Sequence, residues 1–189
     1  MAATLEREIK LRFSNPVDAR AAVLATGATP LRARRLQDDC LLDTPEGMLR
    51  ARGSVLRVRV ESGRSLITFK GPVRPGDKKV REELETVVGD GPLVLTILEE
   101  LGFRPSFRYQ KYREEFSIGD VIIAVDETPL GTFVELEGGD RGITETAEAL
   151  GRGPGDYLVE SYRGLFYEHC RHRGVAITDM LFEDTRDNW

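Results

Sequence analysis

The stretch Leu5-Glu6-Arg7-Glu8-Ile9-Lys10-Leu11-Arg12-Phe13 sets the terms for the rest of the chain. In a strand, alternate side chains point to opposite faces. One face then carries Glu6, Glu8, Lys10 and Arg12. The other carries Leu5, Ile9, Leu11 and Phe13, with Arg7 as the exception. The apolar set suits a core. The other set presents two carboxylates roughly 7 Å apart, followed by a cation. A single strand of this kind reads as a solvated outer face, so the question is whether other strands repeat it.

They do. In residues 55–61, Leu56, Val58 and Val60 oppose Arg57, Arg59 and Glu61, and Ser62-Gly63-Arg64 turns the chain into a partner strand at 65–70 ending in Lys70. Residues 80–88 hold Arg81, Glu83 and Glu85 in one phase, and residues 109–116 hold Lys111, Arg113 and Glu115. Residues 121–127 place Asp126 with Ile122 and Ala124. After the turn Pro129-Leu130-Gly131, residues 132–138 set Phe133, Glu135 and Glu137 against Val134 and Leu136. About seven strands are expected, with a further short extended segment at 35–44.

Between them lie helices. Asn15-Pro16 reads as a cap followed by a first-turn proline, opening a helix over 17–26 that stops at Gly27. Residues 92–101 space Leu95, Leu98 and Leu101 as a second helix, and a third is expected over 144–150. Ser161 caps a last helix over 162–172. The loop 71–79, with two prolines and two glycines, reads as mobile, and residues 183–189 as a polar tail beyond a single domain spanning 1–182.

Composition narrows the function. The chain has 189 residues, 31 % charged and 40 % hydrophobic, which fits one compact domain. A net charge of −5 argues against a general nucleic-acid binder. Two cysteines, Cys40 and Cys170, make no disulfide framework, so a reducing cytoplasmic setting is expected. No long apolar run suggests a membrane span, and no signal peptide is read at the start. No phosphate-binding P-loop motif occurs, and His169, Cys170 and His172 read as ordinary helix surface.

The polar strand faces collect seven carboxylates (Glu6, Glu8, Glu83, Glu85, Asp126, Glu135, Glu137) and seven bases (Lys10, Arg57, Arg59, Lys70, Arg81, Lys111, Arg113). An open sheet would leave this face in water. A closed barrel would turn it inward, with helices outside. Closure removes exposed edges. The charges also come as like-signed pairs on single strands: Glu6/Glu8 and Glu135/Glu137, Arg57/Arg59 and Lys111/Arg113. A buried charged wall is costly without partners. A polyanion held by the bases and hard divalent cations held by the oxygen ligands would satisfy it, which suggests Mg²⁺ or Mn²⁺, two ions, with a triphosphate between.

The same pairs carry a family resemblance. Glu6-x-Glu8-x-Lys10 resembles the ExExK signature of the CYTH, or triphosphate tunnel metalloenzyme, superfamily. Leu56-Arg57-Val58-Arg59, Thr68-Phe69-Lys70-Gly71-Pro72, Arg81-Glu82-Glu83-Leu84-Glu85, Lys111-Tyr112-Arg113, Asp126-Glu127, the stretch from Leu130 to Glu137 and Ser161-Tyr162 follow in the family order. The resemblance implies an α+β fold, a closed eight-stranded antiparallel β-barrel with helices packed outside. It implies a metal-dependent enzyme of the group that includes class IV adenylyl cyclases, thiamine triphosphatases and inorganic triphosphatases. Where Cys40 stands, the resemblance leads one to expect a tyrosine.

The expected roles follow. Glu6, Glu8, Asp126, Glu135 and Glu137 would hold metal. Lys10, Arg57, Arg59, Lys70, Arg81, Lys111 and Arg113 would hold phosphate, and Lys111 is the candidate general base. The leading expectation is a triphosphatase acting on tripolyphosphate, thiamine triphosphate or ATP. The alternatives are a cyclase making cyclic AMP and pyrophosphate, and a non-catalytic polyphosphate- or nucleotide-binding module. No nucleic-acid or membrane partner is expected, and a homodimer stays open.

Overall fold

Alternation turns the first strand into part of a barrel wall whose inside is charged and whose outside is apolar. The computed structural model describes residues 4–183. Eight strands form the wall: β1 (Thr4–Phe13), β2 (Thr29–Asp43), β3 (Val55–Glu61), β4 (Arg64–Lys70), β5 (Lys79–Val88), β6 (Arg104–Ile118), β7 (Val121–Thr128) and β8 (Gly131–Glu137). They close in the order β1-β5-β4-β3-β2-β6-β7-β8, every neighbour antiparallel. Among the described residues the helices are α1 (Pro16–Ala25), α2 (Met48–Ala51), α3 (Gly91–Glu100), α4 (Asp140–Ala149) and α5 (Tyr162–Arg173), with a 3₁₀ turn at Pro154–Asp156. The expected α+β barrel with outer helices is therefore the observed fold.

The apolar core lies between wall and helices. Ile9 and Leu11 of β1 pack with Phe116, Ile123, Val134 and Leu136 from neighbouring strands, and with Ala19 and Val23 of α1 and Ile143 and Ala147 of α4. Burying each large side chain of this set contributes about 1.5–3 kcal/mol. Val94, Leu95 and Leu98 of α3 cover Cys40, Leu42 and Val58 on β2 and β3. A third, aromatic cluster joins Leu41, Phe107, Tyr109 and Phe133 to Tyr162 of α5. The helix starts follow local chemistry. Asn15, Asp90 and Ser161 each accept a bond from a first-turn backbone N–H.

Several expectations are corrected. The eight strands that the resemblance implied are present, but the short extended segment expected at 35–44 is the second half of a strand beginning at Thr29. Residues Thr29–Arg34 are exposed and show no apolar alternation, but they pair with the far end of β6, which is itself longer than the expected 109–116. α4 starts at Asp140 rather than at 144. Gly142 sits inside it because a Cβ there would lie 2.7 Å from Val121 Cγ2 and 2.5 Å from Asp120 Oδ1, so the helix packs directly on the β6–β7 turn. Arg12, placed by alternation with Glu6, Glu8 and Lys10, is exposed at the rim, its guanidinium 4.8 Å from the Phe133 ring centroid. Leu5 is likewise exposed rather than part of the core. Of the expected tail, residues 184–189 lie outside the described residues.

Candidate active site: a charged tunnel

Strand closure brings the two ends of the sequence motif set together. Glu8 pairs in register with Glu137 and Lys10 with Glu135, across the β1–β8 seam. Both E-x-E pairs thus share one patch of wall. β3 and β6, carrying Arg57/Arg59 and Lys111/Arg113, stand on either side of β2, away from that seam. The enclosed cavity has a volume of about 360 Å³, and its lining holds eight glutamates and ten lysines or arginines. Every expected phosphate-binding residue and four of the five expected metal ligands line it; Asp126 does not.

The wall is a network of buried ion pairs. Glu6 accepts from Lys70 Nζ at 2.6 Å and Arg81 Nε at 2.8 Å. Glu8 accepts from Lys79 at 2.6 Å and Lys10 at 3.2 Å. Glu135 pairs with Lys10 at 3.2 Å and with Arg113 in a very short contact. Burial alone would raise the Glu135 carboxyl, but Lys10, Lys111 and Arg113 hold it well below the usual range. Asp126 is fully buried on the inward phase of β7, beneath the lining side chains. It accepts from Lys111 at 2.9 Å, twice from Arg113 at 2.7 and 2.6 Å, and from the Tyr162 hydroxyl at 2.7 Å. Through these contacts Asp126 orients Lys111 and Arg113.

Two groups are poised to change state. Burial and the adjacent Arg113 push Lys111 down to about 8. Glu137 has no ion-pair partner among the described residues. Glu137 is exposed at the end of β8, yet the crowded surroundings of the site, then the Glu6 and Glu8 carboxylates, push its carboxyl above the usual range. This is where the donor set fits a hard cation: an all-oxygen cluster with an unpaired carboxylate repelled by its neighbours. No three carboxylates among the described residues already converge as a preformed cage, since Glu6, Glu8 and Glu135 are turned to lysine and arginine. On the opposite wall Arg57 Nε is buried without a hydrogen bond among the described residues and meets the Asp39 carboxylate at 3.4 Å.

Further residues in and behind the lining shape the site. Asp39 is fully buried and holds Arg59 at 2.8 Å and Arg57 at 3.4 Å. Lys79 was assigned to a mobile loop, yet it is the first residue of β5 and is pushed down to about 8, chiefly by burial. Tyr162 both lines the cavity and packs in the aromatic cluster, its ring centroid 4.8 Å from Lys111 Nζ and 5.3 Å from Lys10 Nζ. Glu83 and Glu85 each face a cation, Glu83 at 3.3 Å from Lys70 and Glu85 at 3.2 Å from Arg57. The expected tyrosine position also changes meaning. Cys40 faces outward under α3, its thiol pushed up to about 12 by burial, while Leu41 faces the cavity.

Away from the metal-ligand candidates, Glu61 offers a clean pH test. It accepts from Gln37 at 2.5 Å, Arg32 at 2.6 Å and Arg35 at 3.1 Å. Burial opposes ionisation, but these partners bring Glu61 down from 4.5 to about 2. A depressed carboxylate stabilises the fold fully above its unfolded value and loses that contribution as pH falls through the folded one. Wild type should therefore melt above Glu61→Gln at pH 6, with the gap closing between pH 4.5 and about 2. Thermal melts of both across that range check it. A gap independent of pH would mean that the charge of Glu61 contributes nothing.

Comparison with known proteins agrees with this geometry. A Methanocaldococcus jannaschii protein named "Putative adenylate cyclase" is 30 % identical over 118 residues, 62 % of this chain and 67 % of that one. The PH1819 protein of Pyrococcus horikoshii superposes with a TM-score of 0.73 at 25 % identity, covering 87 % of this chain and 99 % of that one. A Hippeastrum "putative adenylyl cyclase", described as revealing a dominant triphosphatase activity, shares the fold with a TM-score of 0.66 at 19 % identity, over 91 % of this chain and 97 % of that one. Among the described residues, no helix is long and apolar enough to cross a membrane. The CYTH domain model matches residues 4–152, the span that contains every strand of the tunnel, and the chain belongs to the CYTH domain family.

Proposed function

We propose that the protein is a divalent-metal-dependent triphosphatase that binds a small triphosphate inside the tunnel and releases phosphate. The observation that carries this reading is the two-sided wall. Both E-x-E pairs lie at the β1–β8 seam, and paired arginines and lysines stand on β3 and β6. An anion-binding module needs only the second half.

In this reading Arg57, Arg59, Lys70, Arg81 and Arg113 grip phosphate oxygens, the arginines through bidentate forks. Lys10 joins them from between Glu8 and Glu135. Mg²⁺ or Mn²⁺, held by Glu6, Glu8, Glu135 and Glu137, would supply Lewis-acid polarisation of the phosphoryl oxygens. Lys111 takes the proton of the attacking water as that oxygen bonds to the terminal phosphorus and the bond to the bridging oxygen breaks. Asp126 holds Lys111 and Arg113 in place and is a positioning residue rather than a metal ligand. Most of the catalysis is positioning and charge stabilisation.

The second reading is an adenylyl cyclase, favoured by the names of relatives. It needs a seat for adenine, and the apolar lining that could form one comes down to Leu41, Val55 and Leu66 beside Tyr109. One experiment separates the two: incubation with Mg²⁺ or Mn²⁺ and, in turn, tripolyphosphate, thiamine triphosphate and ATP, with product analysis. Orthophosphate release that stops on adding EDTA is expected. Cyclic AMP with pyrophosphate from ATP would establish the cyclase. Binding of triphosphate with no turnover, unchanged by EDTA, would leave only a binding module.

A further inference from the structure

A second, smaller cavity of about 230 Å³ lies outside the barrel, between α2, the start of β6 and the first turns of α5. Three arginines line it: Arg50, Arg104 and Arg163. In the tunnel almost every cation is within ion-pair distance of a carboxylate; here, among the described residues, none is, although Arg50 acts on Asp43 at longer range. The guanidinium groups of Arg50 and Arg163 make no hydrogen bond or close ion pair among the described residues. Arg104 donates from one nitrogen to two backbone carbonyls, Glu99 and Phe103, and keeps the rest of its fork. The lone acid in the lining, Asp43, accepts three backbone N–H bonds, from Thr44 at 2.8 Å, Leu49 at 2.8 Å and Arg50 at 3.0 Å. It holds the turn together, and although Arg50 acts on it electrostatically, its oxygens are committed to backbone N–H groups rather than to a guanidinium. The Tyr167 hydroxyl adds an uncommitted donor.

Three guanidiniums facing one small hollow concentrate positive charge in a chain whose net charge is −5. Planar forks match tetrahedral oxyanions, and the volume suits a small ion rather than a nucleotide. We propose that this pocket is a second phosphate-binding site, taking orthophosphate or pyrophosphate. Arg163 lines both this cavity and the tunnel, so the two sites share a residue at the first turn of α5. An anion in the outer pocket draws the Arg163 side chain outward and weakens tunnel binding; a triphosphate in the tunnel does the reverse. The pocket itself stands apart from the tunnel reading; only this coupling rests on it.

The test is calorimetric titration of the full-length protein with pyrophosphate and with orthophosphate. Arg57→Ala combined with Arg59→Ala weakens the tunnel site and should leave one binding event per chain. Adding Arg50→Ala and Arg104→Ala should weaken that event at least about tenfold, the loss of one or two charge-assisted bonds. Arg50→Ala with Arg104→Ala alone should leave tripolyphosphate binding in the tunnel intact and abolish its antagonism by pyrophosphate. Circular dichroism confirms that each variant is folded. No binding in the Arg57/Arg59 variant, residual binding indifferent to Arg50 and Arg104, or equal displacement by acetate would each overturn the proposal. If the Arg57/Arg59 pair proves irrelevant to tripolyphosphate while the Arg50/Arg104 effect persists, the tunnel reading fails and the pocket stands.

Discussion

Asp126→Asn is expected to destabilise the protein by about 3–5 kcal/mol, the range for removing one partner from a buried ion pair. The side chains are the same size, so no cavity opens. The loss is electrostatic. Asp126 is fully buried and faces three donors, Lys111, Arg113 and the Tyr162 hydroxyl. Without its charge, Lys111 and Arg113 share Glu135 alone, which lies 4.0 Å from Lys111. The new amide NH₂ also points donors at donors. Urea denaturation measures the loss. Glu127→Gln serves as control, because Glu127 only meets the exposed Arg34 at 2.6 Å, and it should change stability by less than about 1 kcal/mol. Tripolyphosphate should restore the Asp126→Asn midpoint more than it raises that of wild type, since the anion supplies the missing charge. A loss below about 1 kcal/mol would show that the pair Lys111 and Arg113 does not depend on Asp126.

Lys111→Met should lower kcat by about 10²–10⁴-fold, the usual contribution of a positioned general base. KM for tripolyphosphate should stay within several-fold, because Arg57, Arg59 and Arg113 still line the tunnel. Lys111→Arg should not rescue turnover, since a guanidinium keeps its proton at any working pH. A rise in KM with kcat unchanged would instead make Lys111 a phosphate ligand only. The steady-state comparison needs no assumption about metal occupancy, provided the metal is saturating for all three proteins.

The barrel and most of its lining were legible because period-two alternation and charge pairing are local signals. Glu6, Glu8, Arg57, Arg59, Lys111, Arg113, Glu135 and Glu137 each sit two residues from a like partner on one strand, so chain order alone grouped them. What was missed lacked that signal. Asp39 stands beside Asp38, and without a known register nothing says which of the two faces inward. Lys79 follows a loop of glycine and proline, and its strand assignment depends on pairing with Glu8 of β1. The first half of β2 shows no alternation because both its faces are wet. The roles of Tyr162 and Arg163 depend on where α5 docks. That is set by contacts remote in sequence: Leu158 bridges to Lys10, and Met180 to Tyr109. Asp126 was chosen for its phase, which is correct, but phase does not reveal that three donors already claim its oxygens.

The β1–β8 seam has a consequence for how the molecule comes into being. Its first strand pairs with its fifth and its last, so the chain must close its largest loops before either half of the acidic patch exists. Such long-range pairing makes folding slow, on the order of milliseconds to seconds. A nascent chain leaving the ribosome can pair Glu6 and Glu8 with β5, but the other edge of β1, from Glu8 to Phe13, stays unpaired until residues 131–137 emerge. The acidic patch is therefore assembled only when β8 joins β1, and a fragment lacking β8 lacks Glu135 and Glu137. A polyphosphate that touches β1, β3, β6 and β8 at once would act on this assembly as a staple, slowing the reopening of the seam as well as occupying the site.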